Sequence, residues 1–315
     1  GDVYKRQIQS FLCNAGSLVG FLFPFIFTWI GISNIAPQGV VPDSVIYSFY
    51  IGAAILILCV IYTTVKVKEM PPAEYAEYHG ITEEEKKEKI NMVKLLVKAP
   101  KAFWTVGLVQ FFCWFAFMFM WTYTNGSVAA NVFDAPTVET VVNGANKVVL
   151  DTKSIQYQNA ADWVGVLFAV QAIGSVLWAV CIPMFKNRKL IYSLSLILGG
   201  IGFISTYFVH NQYVLFISFL LIGCAWAAML ALPFTILTNA LSGGHMGTYL
   251  GLFNGTICIP QIVAATLGGS ILALFTPKGM LPPEINMLVM AGVMLIIGAV
   301  CVYLIKETKG EQAKT

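Results

Sequence analysis

Eight apolar runs of about 20 residues, the length of helix that crosses a bilayer core, constrain this chain more than anything else in it. They lie at roughly 8–30, 45–65, 102–124, 161–184, 189–209, 212–238, 247–274 and 285–305. Barrel strands would be about 10 residues long with strict alternation, so the runs read as helices. The composition agrees. Hydrophobic residues make up 57% of the chain and charged residues 11%, where soluble domains carry roughly 25% charged residues. That balance excludes disorder, a nucleic-acid-binding module and a conventional soluble enzyme. The fold class expected is an all-α polytopic membrane protein with eight transmembrane helices.

Orientation follows from the 19 Lys and Arg. With the N-terminus on the cytoplasmic side and sides alternating, Lys5, Arg6, Lys66, Lys68, Lys86, Lys87, Lys89, Lys94, Lys98, Lys101, Lys186, Arg188, Lys189, Lys306, Lys309 and Lys314 fall inside. Lys147, Lys153 and Lys278 fall outside. This asymmetry is a positive-inside pattern, and it predicts a cytoplasmic membrane with both termini cytoplasmic.

The seven cysteines, Cys13, Cys59, Cys113, Cys181, Cys224, Cys258 and Cys301, all sit inside apolar runs. They read as small hydrophobes, not as a disulfide framework or a metal knuckle. No motif for a cofactor or metal is present. Two connecting segments are long. In the inner one, 66–101, Thr82 and Glu85 have capping-box spacing. Ile90, Val93, Leu96 and Val97 then fall on one face, giving either a short helix on the membrane surface or a solvated linker. The outer one, 125–160, suits a small external cap and offers no motif.

Between the helix ends there is no Asp, Glu, Lys, Arg or His; Asp162 sits at a span mouth. Intramembrane ionisable groups carry proton relays and hydrolytic chemistry, so the spans do not read as an embedded enzyme. Neither loop is large enough for the output domain of a sensor. The neutral polar residues form stripes. Ser10, Asn14, Ser17, Phe21, Pro24 and Thr28 lie within about 80° on the first span, and Gln110, Trp114, Trp121 and Asn125 within about 60° on the third. Gln171, Ser175 and Trp178 share a face of the fourth span; Asn254, Cys258 and Gln261 share one of the seventh, beside Pro260. The second, fifth and eighth spans lack interior amides. Amides and indoles on one face suit a sugar, whose hydroxyls need paired donors and acceptors and whose apolar faces need flat rings. The same stripes also serve as interhelical hydrogen bonding. Gly247, Gly251 and Gly255 form a GxxxGxxxG stripe that predicts close approach of a neighbouring helix.

The segment Gly223–Asn239 (GCAWAAMLALPFTILTN), with Met246–Asn254 (MGTYLGLFN) and Pro260-Gln261, resembles the tenth and eleventh helices of the sucrose/maltose–proton symporters of the major facilitator superfamily. Gln110-Phe-Phe-Cys-Trp114 with Met120-Trp121 resembles that family's seventh helix, and Gln9-Ser-Phe its fifth. The resemblance implies that the spans are helices five to twelve of twelve, with the plain spans as the sixth, ninth and twelfth. The Lys186–Lys189 loop stands where the superfamily has a loop signature, here without its acidic partner. Residues 1–7 have no apolar core of a signal peptide. They resemble a heptad recurring at the ends of metagenomic reading frames, so an artefactual leader is expected, ahead of a fragment lacking its first four helices. The implied domains are 8–65, the last two helices of an N-terminal bundle; 66–101, a cytoplasmic central loop; 102–305, a C-terminal six-helix bundle; and 306–315, a cytoplasmic tail.

The implied function is proton-coupled symport of a sucrose- or maltose-like disaccharide by a bacterial carrier. Gln110, Trp114, Trp121, Asn125, Gln171, Asn254 and Gln261 would bind substrate, and the proton-coupling residues would lie in the missing helices. The expected partners are the sugar, protons and the lipid bilayer around a monomer, with no nucleic acid. A cation-coupled glycoside/hexuronide carrier and a hydrophobic-compound exporter are the alternatives; fewer convergent amides would mark the exporter.

Overall fold

The computed structural model describes residues 2–33, 41–68, 71, 74, 92–142, 145–241 and 246–305, and the side chains of these except 2–11, 14, 141, 142, 145, 146 and 246. The helices are α1 (Asp2–Trp29), α2 (Asp43–Lys66), α3 (Met92–Val97), α4 (Lys101–Asn131), α5 (Ile155–Cys181), α6 (Arg188–Ser205), α7 (Leu215–Ala240), α8 (Met246–Phe253), α9 (Gly255–Phe275) and α10 (Ile285–Cys301). Among the described residues seven segments are long and apolar enough to cross a membrane. Helices α8 and α9 together supply one of them. The eighth expected span is met only by the shorter apolar stretch Ala15–Trp29 of α1. The chain is an all-α polytopic membrane protein. All seven cysteines are free and lie within helices.

The ends of the helices follow local chemistry. Ser154 Oγ accepts from the Tyr157 N–H at the start of α5, and Asn187 Oδ1 accepts from the Leu190 N–H at the start of α6. Each side chain takes up a backbone donor that the first turn leaves unpaired. Between α4 and α5 the chain forms a hairpin of β1 (Thr137–Val142) and β2 (Ala145–Leu150), antiparallel, with Val138 opposite Val149. In the sequence Asn143-Gly144, which lies outside the described residues, stands between two valine-rich stretches, a strong turn signal. The hairpin marks one end of the bundle. Lys98, Lys101, Lys186, Arg188 and Lys189 cluster at the other, where Tyr249 on α8 donates its hydroxyl to the Leu95 carbonyl on α3.

The proposed surface helix is seen only as α3. Thr82, Glu85 and Ile90 fall outside the described residues. Leu95 and Leu96 are partly buried, Leu96 against the core, while Val93 and Val97 are exposed.

Helices α4 and α7 are the most buried spans and form the centre, with Phe117, Phe119, Phe203, Phe219 and Phe253 fully enclosed. Close packing comes from glycines facing backbone. A Cβ on Gly174 of α5 would lie 2.6 Å from the Leu220 carbonyl oxygen of α7, and one on Gly223 would collide with the Gln171 carbonyl oxygen. Gly200 of α6 and Gly292 of α10 approach each other's carbonyl oxygens in the same way. The stripe expected to do this does not. Among the described residues a Cβ on Gly247 or Gly251 would meet nothing within 4 Å, and one on Gly255 only Ile259. Helix α8 packs through Phe253, whose ring meets Phe103 and Phe234; that contact turns the glycine face outward.

Helix α1 lies along α5, with Phe21 and Phe168 ring centroids 5.5 Å apart, and the Phe21 carbonyl fits against Gly165. Helix α2 packs on α1 and is otherwise exposed.

Candidate functional site

The polar stripe of α4 splits into three environments. Gln110 is almost wholly buried, at 1% exposure, and its Nε2 donates to the Met229 carbonyl of α7 at 2.8 Å. Pro233 lies four residues after Met229. A proline has no N–H, so it leaves the carbonyl four residues back without its helical partner. Gln110 replaces that partner, and its Oε1 remains buried and unbonded.

One turn on, Trp114 is buried with Nε1 unbonded. Its ring meets Trp226 of α7 edge-on, centroids 5.8 Å apart at 78°. Trp121 meets the same ring at 5.8 Å and 83°, and lies 6.4 Å from Trp114. Three indoles thus converge from two helices. Trp121 is 40% exposed, so the cluster runs from a dry interior to an open edge. In the sequence Trp226 stands out only as part of the Gly223–Asn239 segment, not as a site residue. It stands in an apolar run with no amide beside it, and nothing in one helix's periodicity says that it crosses α4 at the tryptophans.

Gln171 of α5 joins this group. It is buried and lines a small cavity with Ser17 and Phe21 of α1, Met120 and Trp121 of α4, Ala172, and Trp226 of α7. Ser17 and Phe21 belong to the polar stripe of the first span; the side chains of Ser10 and Asn14 fall outside the described residues. The cavity measures about 30 Å³. That admits a water or two and is far below the several hundred Å³ of a small-molecule pocket. Helix α1 forms one wall of this cavity.

Residues 128–315 match the Major Facilitator Superfamily. The chain belongs to that superfamily. No curated protein matches it. The superfamily is one of secondary transporters, not enzymes, and this member is a multi-pass membrane protein. The match includes Gln171 and Trp226; Trp114 and Trp121 lie on the part of α4 that precedes it.

The structure puts the remaining expected site residues of this superfamily member elsewhere. Asn125 sits on the last two turns of α4, beyond the expected end of its span, and its Nδ2 donates to the Tyr157 hydroxyl of α5 at 2.9 Å. Asn254 lies exposed at the break between α8 and α9, its side chain capping nothing. Cys258 is exposed and Gln261 half-buried; neither meets the indoles. Trp178 donates from Nε1 to Ser195 Oγ at 2.8 Å, a bond that ties α5 to α6. The stripes were therefore sorted by the fold into interhelical bonding (Gln110, Asn125, Trp178) and a converging cluster (Trp114, Trp121, Trp226, Gln171).

One ionisable group that the sequence does not single out is largely buried at the end of the bundle. Glu284 precedes the last apolar run and reads in sequence as a loop residue. Because α4 extends to Asn131, its end reaches Glu284, whose carboxylate seats in the notch left by Gly126. Burial pushes the carboxyl up from 4.5 to about 7, since desolvation disfavours the charged form.

Proposed function

We propose that this protein is a proton-coupled symporter that carries a glycoside of disaccharide size, sucrose- or maltose-like, across a bacterial cytoplasmic membrane by alternating access. The observation that carries the reading is the meeting of Trp114, Trp121 and Trp226 with Gln171 and Ser17, where α1 touches α4, α5 and α7. Flat rings suit the apolar faces of a sugar, and Gln171, the unbonded Trp114 Nε1 and the unbonded Gln110 Oε1 suit its hydroxyls. Asn125, Asn254 and Gln261 remain proposed contacts for other stages of a cycle, since none faces the indoles here.

In this reading α1 and α2 are the fifth and sixth of twelve helices, the last two of an N-terminal bundle. Segment 66–101 is the central loop, and α4 to α10 form the C-terminal bundle within 102–305. The packing of α1 on α5 supports a site between the two bundles, which rock about it. The basic end of the bundle faces the cytoplasm, by the distribution of Lys and Arg. Uptake of labelled sucrose and maltose into proteoliposomes, by the protein completed with four upstream spans, tests the reading. Accumulation driven by an imposed proton gradient is expected. Equal uptake with the gradient collapsed, or no uptake of either sugar, overturns it.

A further inference from the structure

At the hairpin end of the bundle the helices α4, α5 and α10 converge on one carboxyl group. Glu284 caps the start of α10, but its side chain bonds no backbone N–H of that helix. It turns instead to α4, where a Cβ at Gly126 would collide with both carboxylate oxygens. Residue 126 thus has to be glycine for the carboxyl to seat. Beside the notch, Asn125 bonds Tyr157 of α5 through Nδ2, and its buried Oδ1 has no hydrogen-bond partner. One turn back on α4, the hydroxyl of Tyr123 rests on Gly268 of α9, where a Cβ would lie 2.6 Å from it.

The titratable groups facing Glu284 are Tyr123 on α4 and Tyr157 on α5; Gly268 of α9 meets Tyr123 rather than the carboxyl. Among the described residues no Lys, Arg or His pairs with Glu284, and its burial is the sole perturbation of its acidity. A carboxylate placed so has no counter-charge among the described residues and only tyrosine hydroxyls facing it, whereas a carboxylic acid has an O–H to give in a neighbourhood with an unpaired amide oxygen.

We propose that Glu284 is a proton-binding site, and that its protonation holds the hairpin ends of α4, α5 and α10 together while its ionisation loosens them. The link to symport rests on the transport reading; the proton site itself does not need it. No atoms are exchanged beyond one proton between bulk water at this end and the Glu284 carboxyl. With the folded-state pKa raised from 4.5 to about 7, the native state binds a proton that the unfolded chain has released. The stabilisation is therefore complete below about pH 4.5 and is lost as pH rises to about 7.

The test is thermal melting of the purified chain in detergent across pH 5 to 8.5, without sugar. The melting temperature is expected to fall by about 2–4 °C or more between pH 5 and 7.5. Glu284→Gln, which keeps the acid's shape and its donor, should abolish most of that fall and melt above the unaltered chain at pH 8. Gly126→Ala evicts the carboxyl from its notch and should also flatten the profile, so the site stays testable if one variant does not fold. Curves for the unaltered chain and Glu284→Gln that run parallel overturn the proposal, whatever the transport assay reads. Failure of sugar uptake with the pH effect intact overturns the transport reading alone.

Discussion

Gln110 donates to the Met229 carbonyl at 2.8 Å, the carbonyl that Pro233 leaves without a helical partner. An amide on α4 thereby mends a defect in α7, and a residue expected to hold substrate is in the first place a structural one. Its Nε2 serves the helix, and its Oε1 is left unbonded.

This relationship predicts non-additivity. Gln110→Leu should destabilise the protein by about 1–3 kcal/mol, the cost of leaving a buried carbonyl unpaired. Pro233→Ala restores the N–H four residues after Met229. In that background Gln110→Leu should cost markedly less. A double-mutant cycle on melting in detergent checks it, and additive effects would refute the pairing.

On the proposed transport function, Trp226→Ala should weaken apparent sugar affinity by roughly five- to 150-fold, or about 1–3 kcal/mol. Phe119 lies elsewhere on α4, buried against Phe115 and Tyr123. Phe119→Ala should lose about 3–5 kcal/mol of stability and leave affinity near the starting value. Uptake at matched expression, beside melting curves, separates the two. A Trp226→Ala protein of normal affinity would remove the indoles from the site.

Two glycine substitutions should have opposite signs. Gly223→Ala puts a Cβ into the Gln171 carbonyl and should force α5 from α7, at about 1–3 kcal/mol. Gly251→Ala meets open space in the middle of α8 and should be neutral or stabilising by up to about 1 kcal/mol, since alanine is the better helix former. Melting temperatures decide this.

The two ends of the bundle should lie on opposite sides of the membrane. Single cysteines at Lys98 and Lys147, in a cysteine-free background, should react oppositely with an impermeant maleimide on intact cells. Position 147 labels and 98 does not, by the charge distribution. Equal labelling would undo the topology.

The spans were legible because burial in lipid demands length and apolarity, both of which a single chain displays. Helix partners were not. Gly247, Gly251 and Gly255 permit close approach, but the approach happens at Gly174 and Gly223, whose sequence surroundings advertise it less. Periodicity put Trp114 and Trp121 on one face correctly, yet the ring that completes their cluster, Trp226, comes from a helix more than a hundred residues on. Asn125 shares that angular stripe and still lies about one turn beyond Trp121 among different neighbours, because an angle says nothing about height along a helix. Glu284 escaped notice through the same limit. Its place was fixed by where α4 ends, and the apolar run stops before the helix does.

The cavity of about 30 Å³ beside the indoles means that the three rings at present solvate one another. Whatever enters there competes with an indole for an indole. A guest with a flat apolar face can replace each ring contact that it breaks, while a slender polyol can replace the hydrogen bonds only. The cluster would therefore discriminate by exclusion, acting as its own occupant and yielding only to molecules that imitate it.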